Sequence, residues 1–194
     1  MMRMLLAAIL VAGAVHSNGA DAHSALRKSP ELAIALPGQG EKLLSQYRGK
    51  VVALEFILTP CPHCQAASKI MNKMQERYGN RGLQVLDVAI DQNADLRVEN
   101  FAKEYQAGFP VGWTTIDHMM NYMGFTERPV VPQLVLIDRT GNIHYQTPRE
   151  GDADSLKEDI IAKRIEELLE MDSSSKTRHS ARATRMAGVQ KETR

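Results

Sequence analysis

The stretch Val51-Val52-Ala53-Leu54-Glu55-Phe56-Ile57-Leu58, continuing into Thr59-Pro60-Cys61-Pro62-His63-Cys64, decides how the chain is read. Its first part is apolar throughout except for one acid. Such a run, without polar alternation, predicts a strand buried on both faces. Both cysteines of the chain follow it directly, and the apolar spacing then changes. Ala66, Ala67, Ile70, Met71, Met74 and Tyr78 recur at helical intervals, and Gly79 and Gly82 close the pattern. The prediction is therefore a central strand over 51–58 and a helix over 61–78.

Working outward, Leu83 to Ile90 reads as a second buried strand. Leu96 to Gln106 reads as a second helix, with Leu96, Val98, Phe101, Ala102 and Tyr105 as its apolar side and Gly108 after its end. Strand–helix–strand–helix in this order predicts parallel βαβ connections. Phe109-Pro110-Val111 is a short extended piece, and Thr115 to Met123 a short helix stopped by Gly124. Gln133 to Ile137 and Ile143 to Gln146 are two more strands, antiparallel around the turn Asp138-Arg139-Thr140-Gly141-Asn142. Ser155-Leu156-Lys157-Glu158 has the spacing of a capping box and opens a last helix carrying Ile160, Ile161, Ile165, Leu168 and Leu169. Upstream, Glu31 to Lys50 reads as a strand or hairpin around Pro37-Gly38-Gln39-Gly40. The fold class is α/β, a central mixed β-sheet flanked by helices, with the domain expected over 31–171.

The ends read differently. Arg3, the uncharged apolar run Leu5 to Val15 and Ala20-Asp21-Ala22 together form the pattern of a secretory signal peptide over 1–22. The run is shorter than the roughly 20 residues of a spanning helix, and no later segment is apolar enough to span. The expectation is an exported, periplasmic protein whose mature chain starts at His23, with a polar leader over 23–30. Residues 172–194 are rich in Ser, Thr, Lys and Arg and lack apolar periodicity, as in a disordered basic tail. The 194 residues carry 24 Lys and Arg against 23 Asp and Glu, a net charge of +1 that gives no general attraction to nucleic acid. Two cysteines exclude both a multi-disulfide scaffold and a four-cysteine zinc site.

Cys61 and Cys64 fall between a buried strand and the first turn of a helix. The N–H groups and dipole at that helix end favour a thiolate over a thiol, so Cys61 is the candidate nucleophile and good leaving group. The spacing lets the two sulfurs meet. Pro62 stiffens the first turn without losing a hydrogen bond. His63 adds a donor, or a positive charge when protonated, which stabilises a thiolate and makes the disulfide more oxidising. Haem attachment is excluded, because Gln65 follows the second cysteine where a histidine is required. A static disulfide, or a metal site of Cys61, Cys64 and His63, is the alternative use of these residues.

With these residues in view, the chain resembles the thioredoxin superfamily, in its exported TlpA/ResA-like and redoxin (AhpC/TSA-type) branch. The resemblance covers about residues 31–171. It rests on Gly49-Lys50-Val51-Val52, Cys61-Pro62-His63-Cys64, Val88-Ala89-Ile90-Asp91, Phe109-Pro110-Val111 and Val131-Pro132-Gln133-Leu134-Val135-Leu136-Ile137-Asp138. It implies a thioredoxin-like fold and a thiol–disulfide oxidoreductase acting on protein thiols and disulfides, with an unidentified redox partner. It implies that Pro132 is a cis-proline facing the cysteines and that Val131 offers its backbone to a bound peptide. It also implies that Glu55, six residues before Cys61, accepts the proton of Cys64, burial having raised its pKa. No bound cofactor is expected, since the Cys61–Cys64 dithiol is itself the redox group, and a monomer is expected.

The sequence departs from that pattern in one place: Thr59-Pro60 stands where a tryptophan usually precedes the first cysteine. The Pro-His pair resembles that of strongly oxidising enzymes, whereas the surrounding domain resembles reductases, so the direction of electron flow stays open. A peroxiredoxin is the nearest rival, but Thr59 lies two residues before Cys61 rather than three, and Glu55 occupies the place of that motif's proline. His118, His144, Met119, Met120 and Met123 raise a copper-carrier alternative, although methionines at helical spacing usually pack a core.

Overall fold

The computed structural model describes residues 26–171. The expected signal peptide over 1–22 and basic tail over 172–194 lie outside the described residues. The strands are β1 (Arg27–Lys28), β2 (Ala33–Leu36), β3 (Gly40–Leu43), β4 (Val51–Ile57), β5 (Leu83–Ala89), β6 (Val111–Trp113), β7 (Gln133–Ile137) and β8 (Asn142–Gln146). They form one mixed sheet in the order β1-β8-β7-β4-β5-β6-β2-β3. The helices are α1 (Pro62–Tyr78), α2 (Val98–Glu104), α3 (Ile116–Met123) and α4 (158–171).

The expected α/β architecture is present. Helix α1 connects β4 to a parallel β5, and α2 lies in the connection from β5 to a parallel β6. β7 returns antiparallel beside β4 and pairs with β8 through the expected hairpin. Asp138 builds that turn: its Oδ1 accepts the backbone N–H groups of Thr140 and Asn142 at 2.9 and 2.8 Å.

Every residue of β4 is buried, which explains its unbroken apolar run. Alternate side chains serve two separate cores. Val51, Ala53 and Ile57 pack with Met71, Met74 and Tyr78 of α1, Phe101 of α2 and Ile161, Ile165 and Leu168 of α4. Val52, Leu54 and Phe56 pack with Ile34 and Leu36 of β2 and Met119, Tyr122 and Met123 of α3. Burying one such side chain stabilises by about 1.5–3 kcal/mol, so these two layers hold the sheet. Helix α4 is further tied to α1 by Lys73 on Glu158 at 2.6 Å and by the Tyr78 hydroxyl, which donates to Glu166 at 2.7 Å.

The structure corrects several boundaries. Arg27 and Lys28, expected in a polar leader, form an edge strand against Ile143 and Asn142, because backbone pairing does not require apolar side chains. Glu31 to Lys50 does contain a hairpin, β2 with β3, and it joins the sheet through β6. The extended piece expected at 109–111 forms its strand over Val111–Trp113. Helix α2 starts at Val98, and Leu96, placed on its apolar side by sequence, is 73% exposed in a preceding 3-10 turn. The capping box does not form. Asp152 instead accepts the N–H groups of Asp154 and Ser155, the Ser155 hydroxyl donates to the Asp152 carbonyl at 2.8 Å, and the helix starts at 158.

Gly112 allows β6 and β2 to approach closely. A Cβ there would lie 2.5 Å from the Ala35 carbonyl oxygen and 2.7 Å from side-chain atoms of Ile34 and Leu36. Gly112→Ala is therefore expected to destabilise by about 1–3 kcal/mol. Urea unfolding should show a lower midpoint with an unchanged slope.

Candidate active site

The cysteines sit where β4 gives way to α1, on a turn held at several points. The Cys61 N–H donates to the Leu58 carbonyl at 3.0 Å. Thr59 donates its backbone N–H and its hydroxyl to the two oxygens of Asp91, both at 2.9 Å. Arg97 pairs with the same carboxylate at 3.2 Å, and Gln65 Nε2 donates to the Thr59 carbonyl at 3.1 Å. Cys61 is the N-cap of α1 with extended backbone (φ −81°, ψ 118°), and its Sγ accepts the Cys64 N–H at 3.5 Å. Pro62 occupies the first helical position, where a missing N–H costs nothing.

The two sulfurs are not equivalent. Both cysteines are free; Cys61 is half-buried and Cys64 fully buried. Burial pushes the Cys64 thiol well above its usual range. A backbone contact from Leu58 opposes this, and Cys61 and the Glu55 charge add to it. One sulfur therefore meets solvent at a helix N-terminus, and the other keeps its proton until a base takes it. Pro62 and His63 are both exposed beside Cys61.

The Val131–Pro132 peptide is cis. The pairing of Phe56 with Gln133 continues so that Pro132 lies at the end of β4 that carries Cys61. Gln133 is buried, and its Nε2 donates to the carbonyls of Val130 at 2.6 Å and Pro148 at 3.1 Å, framing that segment from below. Val130 is 58% exposed and Val131 half-buried, so an apolar edge meets solvent here. Thr59 and Pro60 also border a groove of about 320 Å³ with Arg97, Phe101 and Tyr105.

Glu55 is buried on the α1 side of β4, the side of Val51, Ala53 and Ile57. Asp87 stands opposite it on β5, also buried, and shares its face with Val85 and Ala89. Ser68, one helical turn beyond Cys64, donates its hydroxyl to Asp87 Oδ2 at 2.5 Å. Among the described residues no N–H or O–H of a third residue donates to either Glu55 oxygen or to Asp87 Oδ1, and the two acids hydrogen-bond only to one another there. Burial, and then the Asp87 charge, hold Glu55 well above the usual carboxylate range. Burial pushes Asp87 up to about 7, opposed by hydrogen bonding from Ser68 and Glu55.

The sequence reading missed Asp87, Ser68, Asp91 and Gln133. Asp87 did carry a signal, an acid inside the apolar run Leu83 to Ala89, but its pairing with Glu55 depends on strand register.

Among the described residues no group of three His, Cys, Asp or Glu side chains could hold a metal. Met119 and Met123 are buried in the α3 core, as packing predicts, and His144 pairs with Asp138 at 2.9 Å. The His118 ring lies 3.3 Å from the Thr114 hydroxyl.

The buried acids make stability depend on pH with a definite sign. Their folded-state pKa values lie above the unfolded ones, so the folded state holds more protons. Their contribution is greatest below about pH 4 and is lost as pH rises through the folded values, about 7 for Asp87. Asp87→Asn should therefore raise the melting temperature at pH 8 by several degrees, an effect on the order of 1–3 kcal/mol. The gain over the parent should shrink toward pH 5, as thermal unfolding followed across pH would show.

Comparison with known proteins agrees with this scaffold. A family model for the AhpC/TSA family matches residues 26–146. The thiol-disulfide oxidoreductase ResA of Bacillus thuringiensis subsp. konkukian is 28% identical over 121 residues, covering 62% of this chain and 68% of that protein. ResA of Geobacillus kaustophilus is 33% identical over 103 residues, covering 53% of this chain and 57% of its own. The crystal structure of a candidate thiol:disulfide interchange protein DsbE from Chlorobium tepidum superposes with a TM-score of 0.62 at 28% identity, over 74% of this chain and 96% of that one. A solution structure of a candidate protein disulfide isomerase from Bacteroides thetaiotaomicron gives 0.63 at 25% identity, over 74% and 89%. Matched through the whole sheet and across the cysteine turn, the chain belongs to the AhpC/TSA family, as a thioredoxin-fold thiol–disulfide oxidoreductase of the ResA-like kind.

Proposed function

We propose that the protein exchanges disulfides with exported protein substrates through a mixed disulfide on Cys61, which Cys64 resolves. The unequal exposure of the two sulfurs carries this reading: Cys61 meets solvent at the α1 N-terminus and Cys64 does not. In the reducing direction the Cys61 thiolate attacks a substrate disulfide and expels one substrate thiolate. Cys64 then loses its proton and attacks Cys61 Sγ. The Cys61–Cys64 disulfide forms, the second substrate thiolate leaves, and two electrons have passed to the substrate. The oxidising direction is the reverse, and no bound cofactor takes part. Val131 and Pro132 seat the substrate backbone, Pro62 holds the turn, and Glu55 receives the Cys64 proton.

Export places this chemistry where a disulfide persists. The sequence pattern over 1–22 supports export with cleavage after Ala22, and N-terminal sequencing of the mature protein should begin at His23. Among the described residues no helix is long and apolar enough to cross a membrane.

Cysteine replacement tests the mechanism. Cys64→Ser should accumulate a covalent adduct with a disulfide substrate, seen by mass and released by dithiothreitol. Cys61→Ser should form none and lose insulin-reducing activity; adduct formation in Cys61→Ser would overturn the assignment. The reduction potential, measured in glutathione buffers, sets the direction. A value near about −120 mV marks a disulfide donor and one near about −270 mV a reductant. His63→Ala should move it to a more negative value, because the histidine favours the reduced thiolate.

A further inference from the structure

Two carboxyl groups meet in the core beneath the redox cysteines, and no cation among the described residues neutralises them. Glu55 and Asp87 occupy opposed positions of the parallel β4–β5 pair and project to the same face. Adjacent strands lie about 4.8 Å apart, so side chains opposed in this way are neighbours. Both are essentially inaccessible, Glu55 at 0% and Asp87 at 1%. No third residue among those described donates to three of their four carboxyl oxygens, which face one another, and the fourth, Asp87 Oδ2, is held by Ser68 at 2.5 Å. The elements packed around the pair contribute Cys64 and Ser68 from α1 and Leu134 from β7, and neither acid draws stabilisation from a lysine, arginine or histidine.

We propose that Glu55 and Asp87 act as one proton-sharing pair whose free site takes the Cys64 proton during resolution, with Ser68 fixing Asp87. This rests on the mixed-disulfide reading above. Asp87 is a positioning residue, since it reaches the sulfur only through Glu55.

Two carboxylates at this separation in an apolar core cannot both remain ionised, so one proton stays between them. The pair therefore carries a single negative charge and one vacant proton site. When the Cys64 thiol is deprotonated, its proton enters that site: singly protonated pair plus thiol becomes doubly protonated pair plus thiolate. The thiolate then displaces the substrate sulfur from Cys61, and its electron pair forms the new S–S bond. The geometry fits this transfer. Ser68 is one turn from Cys64 on the same helix and binds the acid that faces Glu55. The Glu55 charge acts on the Cys64 thiol, which places the two within electrostatic reach. The acids' raised values, with Asp87 at about 7, put the vacant site in the neutral range.

The aromatic disulfide DTNB separates the steps. Attack by Cys61 releases a first thionitrobenzoate, and resolution by Cys64 releases a second. In stopped-flow between pH 5 and 9, the second release should accelerate as pH rises through neutrality. Asp87→Asn should move that inflection up, because the Glu55 carboxylate loses the proton it shares with Asp87. Ser68→Ala should move it up, because Asp87 loses the donor that holds its carboxylate. Glu55→Gln should slow the second release at least tenfold. The first release should be unchanged in all three variants. An unshifted inflection in Asp87→Asn would overturn the proposal while leaving the mixed-disulfide reading intact.

Carboxyl carbon NMR of the unmodified protein provides a readout that needs no substrate. Sharing predicts that the Glu55 and Asp87 signals follow the same two titration steps. A single independent step for each would refute the pairing, whatever DTNB shows. Absence of the first release in the parent protein would instead be a failure of the mixed-disulfide reading.

Discussion

The complete burial of β4 governs this molecule. The strand lies between β5 and β7 and is covered on both faces, so no side chain on it can be solvated. Six of its seven residues meet that condition with apolar side chains, and Glu55 cannot. An acid in this position must stay protonated, acquire a cation or find another acid with which to share a proton. Among the described residues no cation meets it, and Asp87 stands opposite. The charge state beneath the active site thus follows from sheet order and register before any substrate enters.

The same burial determines where the strand can end. Once β4 leaves the sheet at Ile57, its last carbonyls and the first amides of α1 need partners within a few residues. Ile57 gives its carbonyl to the Ile90 N–H, Leu58 gives its own to Cys61, and Cys61 caps the helix with its sulfur. Sulfur is a weak acceptor as a thiol and a strong one as a thiolate, so the cap tightens when Cys61 ionises. Asp91 holds the turn by spending both oxygens on Thr59, and Arg97, the residue just before α2, neutralises it. The nucleophile's position is therefore fixed from the connection between β5 and α2 as much as from its own loop.

Much of this was legible in the sequence wherever local pattern and global fold agreed. The run from Val51 to Leu58 and the helical spacing from Ala66 to Tyr78 each admit one physical solution, and together they predicted the central βαβ unit. The elements that were missed depend on partners distant in the chain. Arg27 and Lys28 form a strand only because β8 offers an open edge, and backbone pairing leaves no apolar signature. The Ser155 capping pattern lost to Asp152, which takes the Ser155 N–H from three residues earlier. Leu96 looked like part of a helical face but belongs to the turn before it. At the site, Glu55 stood out because its run was otherwise apolar. Asp87 interrupts an equally apolar run, yet its importance appears only when residue 87 is set against residue 55.

Buried acids are poor stabilisers, and replacing such a pair by apolar groups of similar volume is commonly neutral or stabilising. Their presence therefore calls for a role beyond packing, and the state of Cys64 indicates what that role is. Burial protects Cys64 from unwanted oxidants but also makes its thiolate costly to form. A water-exposed base could not reach it, and two fully ionised carboxylates beside it would raise the cost further. A pair that holds one proton and one vacancy avoids both difficulties, since it presents an acceptor without adding a second negative charge to the core. The destabilising feature of the fold and the chemical requirement of its inner cysteine then share one structural cause, the placement of two acids on facing strands under the first turn of α1.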